Sequence, residues 1–153
     1  MQNNLHPPAA TPTESPNAST DLRANKFLAK MCHTHLQALD RDGVNLVSAL
    51  VATTDGFEIA AVNRKLQTAE KLAAMSCSLL ALGNAVAAEV QSGECANLII
   101  ETKTGLILTM AIGDSRGELL LCLITGSGST LGQALWAARA CCRRIRTDSM
   151  AIL

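Results

Sequence analysis

Three groups of residues have the types and spacing to do chemistry. Gly126-Ser127-Gly128-Ser129-Thr130-Leu131-Gly132 follows an apolar run and opens a helical pattern, a place where backbone N–H groups can hold a phosphate. The segment lacks the Gly-Lys-Ser/Thr of a P-loop, and no further strand ending in an acid follows it, as a dinucleotide fold requires. It reads first as a turn with Ser129 or Thr130 capping the helix. A small-ligand or nucleotide sensor built on this loop is the alternative reading. Cys32 and His35, with His33 beside them, have the i, i+3 spacing that turns two ligands toward one metal. Two ligands do not make a site, and no partner cluster occurs elsewhere, so neither a metal nor a cofactor is expected. Arg139, Arg143, Arg144 and Arg146 crowd what reads as the end of the last helix, where positive charge complements the helix dipole, with an acidic partner surface or membrane headgroups as the alternative reading. No Ser, His and acid set, no Gly-x-Ser-x-Gly elbow and no paired carboxylates can be picked out, so the chain reads as a non-enzyme.

Composition narrows the classes further. The chain has 153 residues, of which 48% are hydrophobic, enough for one domain with a sizeable core. Thirteen basic residues balance thirteen acidic ones, and Phe27, Phe57 and Trp136 are the only aromatics, so nucleic acid is not an expected partner. The six cysteines are irregularly spaced, and the N-terminus shows no basic start followed by an apolar stretch. A cytoplasmic protein with reduced, mostly buried cysteines is the expectation. Residues 72–88 and 119–138 carry no charge, but the second stretch is broken by Thr125-Gly126-Ser127-Gly128-Ser129-Thr130 and the first is diluted by Ala, Ser, Gly and Asn. No membrane span is expected.

The elements follow from periodicity. All four prolines fall in residues 1–20, which read as a disordered Pro-rich tail, followed by a domain over 21–148 and a short C-terminal tail over 149–153. A helix begins near Asp21 and ends at Asp42-Gly43. A doubly apolar strand (44–52), a turn at Asp55-Gly56 and a shorter strand (57–62) come next. A long helix over 67–91 leads to three strands in a meander (96–103, 106–112 and 118–124) and a final helix over 130–146. The order is αββαβββα. Strands that are apolar on both faces belong at the centre of a sheet and those with charged positions at its edges, which gives an antiparallel order 2-1-5-4-3. One long helix then covers one face and two helices the other, an α+β sandwich.

The long helix has two uncharged stripes. Leu72, Met75, Leu79, Leu82, Val86 and Val90 recur at steps of three and four and are expected to pack on the sheet. Ala73, Cys77, Ala81, Asn84 and Ala88 form a second stripe of small residues, where a surface helix should show Lys, Glu and Gln. The expectation is that this small stripe is covered by a second copy of the chain, with Asn84 fixing the register across the axis.

These residues together resemble the Roadblock/LC7 family. The likeness rests on the αββαβββα order, on Val51-Ala52-Thr53-Thr54-Asp55-Gly56-Phe57-Glu58-Ile59-Ala60 at the first hairpin, on Ala69-Glu70-Lys71-Leu72-Ala73-Ala74 opening the long helix, and on Leu131-Gly132 opening the last one. The resemblance implies a profilin-like sheet and a homodimer, or a heterodimer with another Roadblock-type chain. In such dimers the long helices pair and the third strands join, which puts Leu98 and Ile100 beside the expected interface. It also implies a non-catalytic scaffold or regulator of a small Ras-like GTPase, as in the bacterial gliding-polarity system and the lysosomal Ragulator complex, or a dynein subunit.

Overall fold

The computed structural model describes residues 25–63, 68–113 and 119–152. Its elements are α1 (Lys26–Ala38), a 3-10 turn (Leu39–Asp42), β1 (Leu46–Thr53), β2 (Glu58–Asn63), α2 (Ala69–Glu89), β3 (Asn97–Thr102), β4 (Gly105–Ile112), β5 (Leu119–Thr125) and α3 (Leu131–Ile152). The five strands form one antiparallel sheet in the order β2-β1-β5-β4-β3, as the charge pattern of the strands predicts. β1 and β5 are buried almost throughout and lie centrally, whereas β3, with exposed Glu101, is an edge.

Local chemistry sets the element ends. Asn25 Oδ1 caps α1 by accepting from Phe27 N and Leu28 N, both at 3.1 Å. Gly56, at φ +90°, makes the β1–β2 turn in a conformation that disfavours side chains, and a Cβ there would lie 3.1 Å from Ala74 Cα of α2. Lys103 and Thr104 form a two-residue turn closed by the Thr102–Gly105 pair.

Two apolar layers hold the sheet. On one side Leu28, Cys32 and Leu36 of α1 and Ala134, Ala137, Ala138, Cys141 and Ile145 of α3 cover Val51, Leu108, Leu121 and Leu123. α1 lies over β1 and β2, and α3 over β4 and β5. On the other side α2 touches all five strands, with Ala73 and Leu80 against Leu50, Ala52, Leu120 and Cys122.

Two expectations are corrected. α3 does not stop near Arg146 but runs to Ile152, so residues 149–152 of the expected short C-terminal tail are helical. Neither Gly nor Pro occurs between Arg146 and Ile152, Ser149 is buried, and Asp148 Oδ2 meets His35 Nε2 at 2.7 Å, which ties the extra turn to α1. The second correction concerns α2, which buries Ala73, Ser76 and Leu80 against the sheet and leaves Met75, Leu82, Val86 and Val90 of the large stripe exposed, along with Ala81, Asn84 and Ala88 of the small one. The expected helix start at Asp21 and the residues 1–20 lie outside the described residues.

Candidate functional surface

α2 is Ala-rich and free of proline, and it ends where Gln91 turns to φ +54° and Ser92 N donates to Ala87 O at 2.9 Å. Ala73 and Ser76 are buried against the sheet, Cys77 and Gly83 are half-buried there, and Cys77 Sγ donates to the Thr54 carbonyl. Gly83 shows why small residues are inside: a Cβ on it would lie 2.8 Å from Cys95 Sγ and 3.4 Å from Leu98 Cδ1. At Gly83 the helix sits so close to Cys95 and Leu98 that even a Cβ would crowd them. Leu72 and Leu80 fill the remaining space on the inner side.

The large residues are left outside. Met75 is 53% exposed, Leu82 62%, Val86 65% and Val90 66%. With half-buried Leu79 they make a continuous apolar row, and Lys71, Ala74, Met75, Ser78, Leu79 and Leu82 line a shallow groove of about 380 Å³ along it. No charged residue interrupts positions 72–88. Scattered exposed apolar residues are ordinary, whereas a contiguous apolar patch is the kind of surface that marks contact sites. Among the described residues α2 is also the one helix long and apolar enough to cross a bilayer; it lies flat on its own sheet instead.

The residues expected at this interface divide accordingly. Ala73 is fully buried by its own sheet and cannot meet a partner, and Cys77 is largely turned inward as well. Ala81 and Ala88 are exposed on the flank of the outward row. Asn84 Oδ1 accepts from Cys95 N at 2.8 Å, so it fastens the α2–β3 connection rather than standing free to bridge two copies. Leu98 and Ile100 are half-buried on edge strand β3, on the α2 side of the sheet, opposite Thr109 and Ile107. Sequence reasoning missed Met75, Leu82, Val86 and Val90 as outward residues. A signal was present: Lys71 and Glu89 lie eleven and seven residues from Leu82, which at about 100° per residue puts both charges on the azimuth of Leu82.

The other candidates are absorbed by the fold. Asn45 N donates to Ser129 Oγ at 2.9 Å and Asn45 Nδ2 donates to Ser127 O at 3.0 Å, pinning the Gly126–Gly132 segment to the start of β1. Gln133 N donates to Thr130 Oγ1 at 3.2 Å while Gln133 Oε1 accepts from Thr130 N at 3.1 Å, a capping box that occupies donors a phosphate would need. The groove of about 700 Å³ beside it is lined by neutral residues including Asn45, Val47, Thr102, Ile107, Ile124 and Ser127. No cation in that lining is available to balance a phosphate. Cys32 is buried beside Cys141 while His35 Nε2 meets Asp148 Oδ2, and no group of three or more His, Cys, Asp or Glu side chains that could hold a metal occurs among the described residues. Burial pushes the Cys32, Cys141 and Cys142 thiols up to about 12.

A family model for the Roadblock/LC7 domain matches residues 34–125. Among solved structures the chain is similar to Myxococcus xanthus MglB, with a TM-score of 0.72 at 13% identity, covering 82% of this chain and 92% of that one. It is similar to the gliding protein MglB of Thermus thermophilus, with a TM-score of 0.71 at 15% identity over 80% of this chain and 91% of that one. A Roadblock/LC7 domain from Streptomyces avermitilis gives a TM-score of 0.68 at 17% identity over 77% and 97%. The same layering is found in a profilin. No curated protein matches the sequence.

Proposed function

The chain belongs to the Roadblock/LC7 domain family, and from that membership we propose that it is a dimeric, non-catalytic adaptor in the cytoplasm that binds a small Ras-like GTPase and sets its nucleotide state or location. The observation that supports this reading most is the outward apolar row of α2, Met75, Leu79, Leu82, Val86 and Val90. A second Roadblock-type chain, identical or related, removes this row from water when its own long helix packs against it. Edge strand β3, which ends the sheet on that side of the molecule, is then positioned to extend the sheet into the partner. The paired helices and the joined sheet make a composite platform twice as wide as either chain, broad enough for a globular GTPase to contact both.

The test is binding of the full-length dimer to candidate Ras-like GTPases loaded with GTP or with GDP. Preferential capture of one nucleotide state by the wild-type chain, lost on Leu82→Glu, supports the adaptor reading. Failure to bind either state overturns the GTPase assignment. Micromolar binding of GTP or another nucleotide to the isolated chain would favour a sensor built on the Gly126–Gly132 loop.

A further inference from the structure

The face of the molecule opposite α2 carries a second unpartnered surface with a different chemistry. α1 and α3 lie side by side there, with Cys32 next to Cys141 and His35 level with the Cys141–Asp148 stretch. α1 contains no acidic residue, and α3 contains only Asp148. Asp148 is paired with His35, and Asp42 of the 3-10 turn is paired with Arg144 at 3.4 Å. Exposed Lys26, Lys30, Arg139, Arg143 and Arg146 therefore make the outer surface of this layer basic.

Trp136, Arg139, Arg143, Arg146 and Met150 follow one another at steps of three, four, three and four, so they share one outward face of α3 about 21 Å long. Trp136 is 58% exposed and Met150 77%. The helix dipole does not account for the arginines. Its influence fades within the last turn, α3 ends at Ile152, and that last turn holds no basic residue. Arg139 and Arg143 thus stand several residues too early, and among the described residues Arg139, Arg143 and Arg146 have no ion-pair partner.

We propose that this face of α3 docks an acidic helical segment of a protein partner, one that carries carboxylates at three- and four-residue steps and an apolar side chain for Trp136. The cationic spacing matches the spacing of such carboxylates, and guanidinium forks grip carboxylates with two parallel hydrogen bonds. Arg, Trp and Met are the residue types concentrated at protein interfaces. A lipid surface would call instead for a broad apolar stripe sunk beneath basic flanks, and here the arginines occupy the centre of the row. This surface is separate from the α2 row and does not depend on what α2 binds.

Trp136 is the single tryptophan of the chain, so its emission reports the proposed contact directly. The full chain is titrated with a helical peptide bearing Glu at alternating three- and four-residue steps and interspersed Leu, with the same peptide in which Gln replaces Glu, with phosphatidylserine-containing vesicles, and with duplex DNA. The expected result is a saturable Trp136 shift with the Glu peptide alone, weakened about tenfold or more by Arg139→Gln together with Arg143→Gln and by added salt. The mass of the double variant in light scattering stays that of the wild type, which separates this site from the α2 face. Equal response to the Glu and Gln peptides, no response to the Glu peptide, or a response to vesicles or DNA in its place overturns the proposal.

Discussion

Replacing Leu82 with Glu should separate two copies of the chain without unfolding either. Leu82 is 62% exposed in the protomer. Full burial of a Leu side chain contributes about 1.5–3 kcal/mol, so covering the exposed share contributes about 1–2 kcal/mol. Both protomers carry the change, which removes about 2–4 kcal/mol from the dimer. Each introduced carboxylate would also lose its water beneath an apolar partner, at several kcal/mol per ion. The sum exceeds about 6 kcal/mol, or roughly four orders of magnitude in Kd. Light scattering at micromolar concentration should then fall from twice 16.1 kDa to 16.1 kDa, with the circular dichroism spectrum retained. Ala73→Glu makes the opposite test, because Ala73 is fully buried against the sheet and a carboxylate there should abolish folding. A Leu82→Glu protein that keeps the dimer mass, or that unfolds as Ala73→Glu should, would refute the placement of α2.

Three further outcomes are expected. Leu36→Ala removes a fully buried α1 side chain from the core against α3, which should cost about 2–5 kcal/mol and lower Tm by roughly 5–20 °C in thermal melts. Burial and the neighbouring Glu70 charge hold Glu58 above the ordinary carboxylate value. The folded state therefore holds that proton more tightly than the unfolded chain, and ionised Glu58 opposes folding at neutral pH. Glu58→Gln should raise Tm at pH 7, and the gain should shrink as pH falls through the carboxylate range. Cys32, Cys141 and Cys142, with thiols pushed up to about 12, should hold only about one part in ten thousand as thiolate at pH 8. Mass-mapped alkylation should find them unmodified in the native protein and modified only after denaturation.

The sheet was legible because its strands differ in kind. β1 and β5 are apolar on alternating residues of both faces and occupy interior positions, while Glu58 and Glu101 mark the edge strands. The hairpin at Asp55-Gly56 and the cap at Thr130 follow from turn and capping chemistry that acts within a few residues. The orientation of α2 was not legible in the same way. The sheet takes neither stripe whole: Ala73, Ser76 and Leu80 are buried beneath α2 with Leu72 and Cys77 beside them, and the rule that larger residues go inside gave the wrong face for Met75, Leu82, Val86 and Val90. Close approach bears on it: Gly56 lies against Ala74, and Gly83 against Cys95 and Leu98, and α2 docked at these points leaves Met75 and Leu82 exposed. Those contacts join residues distant in sequence and exist only once the sheet is built. The true length of α3 was hidden for a similar reason, since the pairing of Asp148 with His35 crosses more than a hundred residues.

Sedimentation equilibrium of the full wild-type chain across a wide concentration range weighs most directly on the covering of the α2 row by a second copy. The account predicts a species of twice 16.1 kDa that dissociates only on dilution. A single species of 16.1 kDa persisting at high micromolar concentration, with no related Roadblock chain able to shift it, would contradict it.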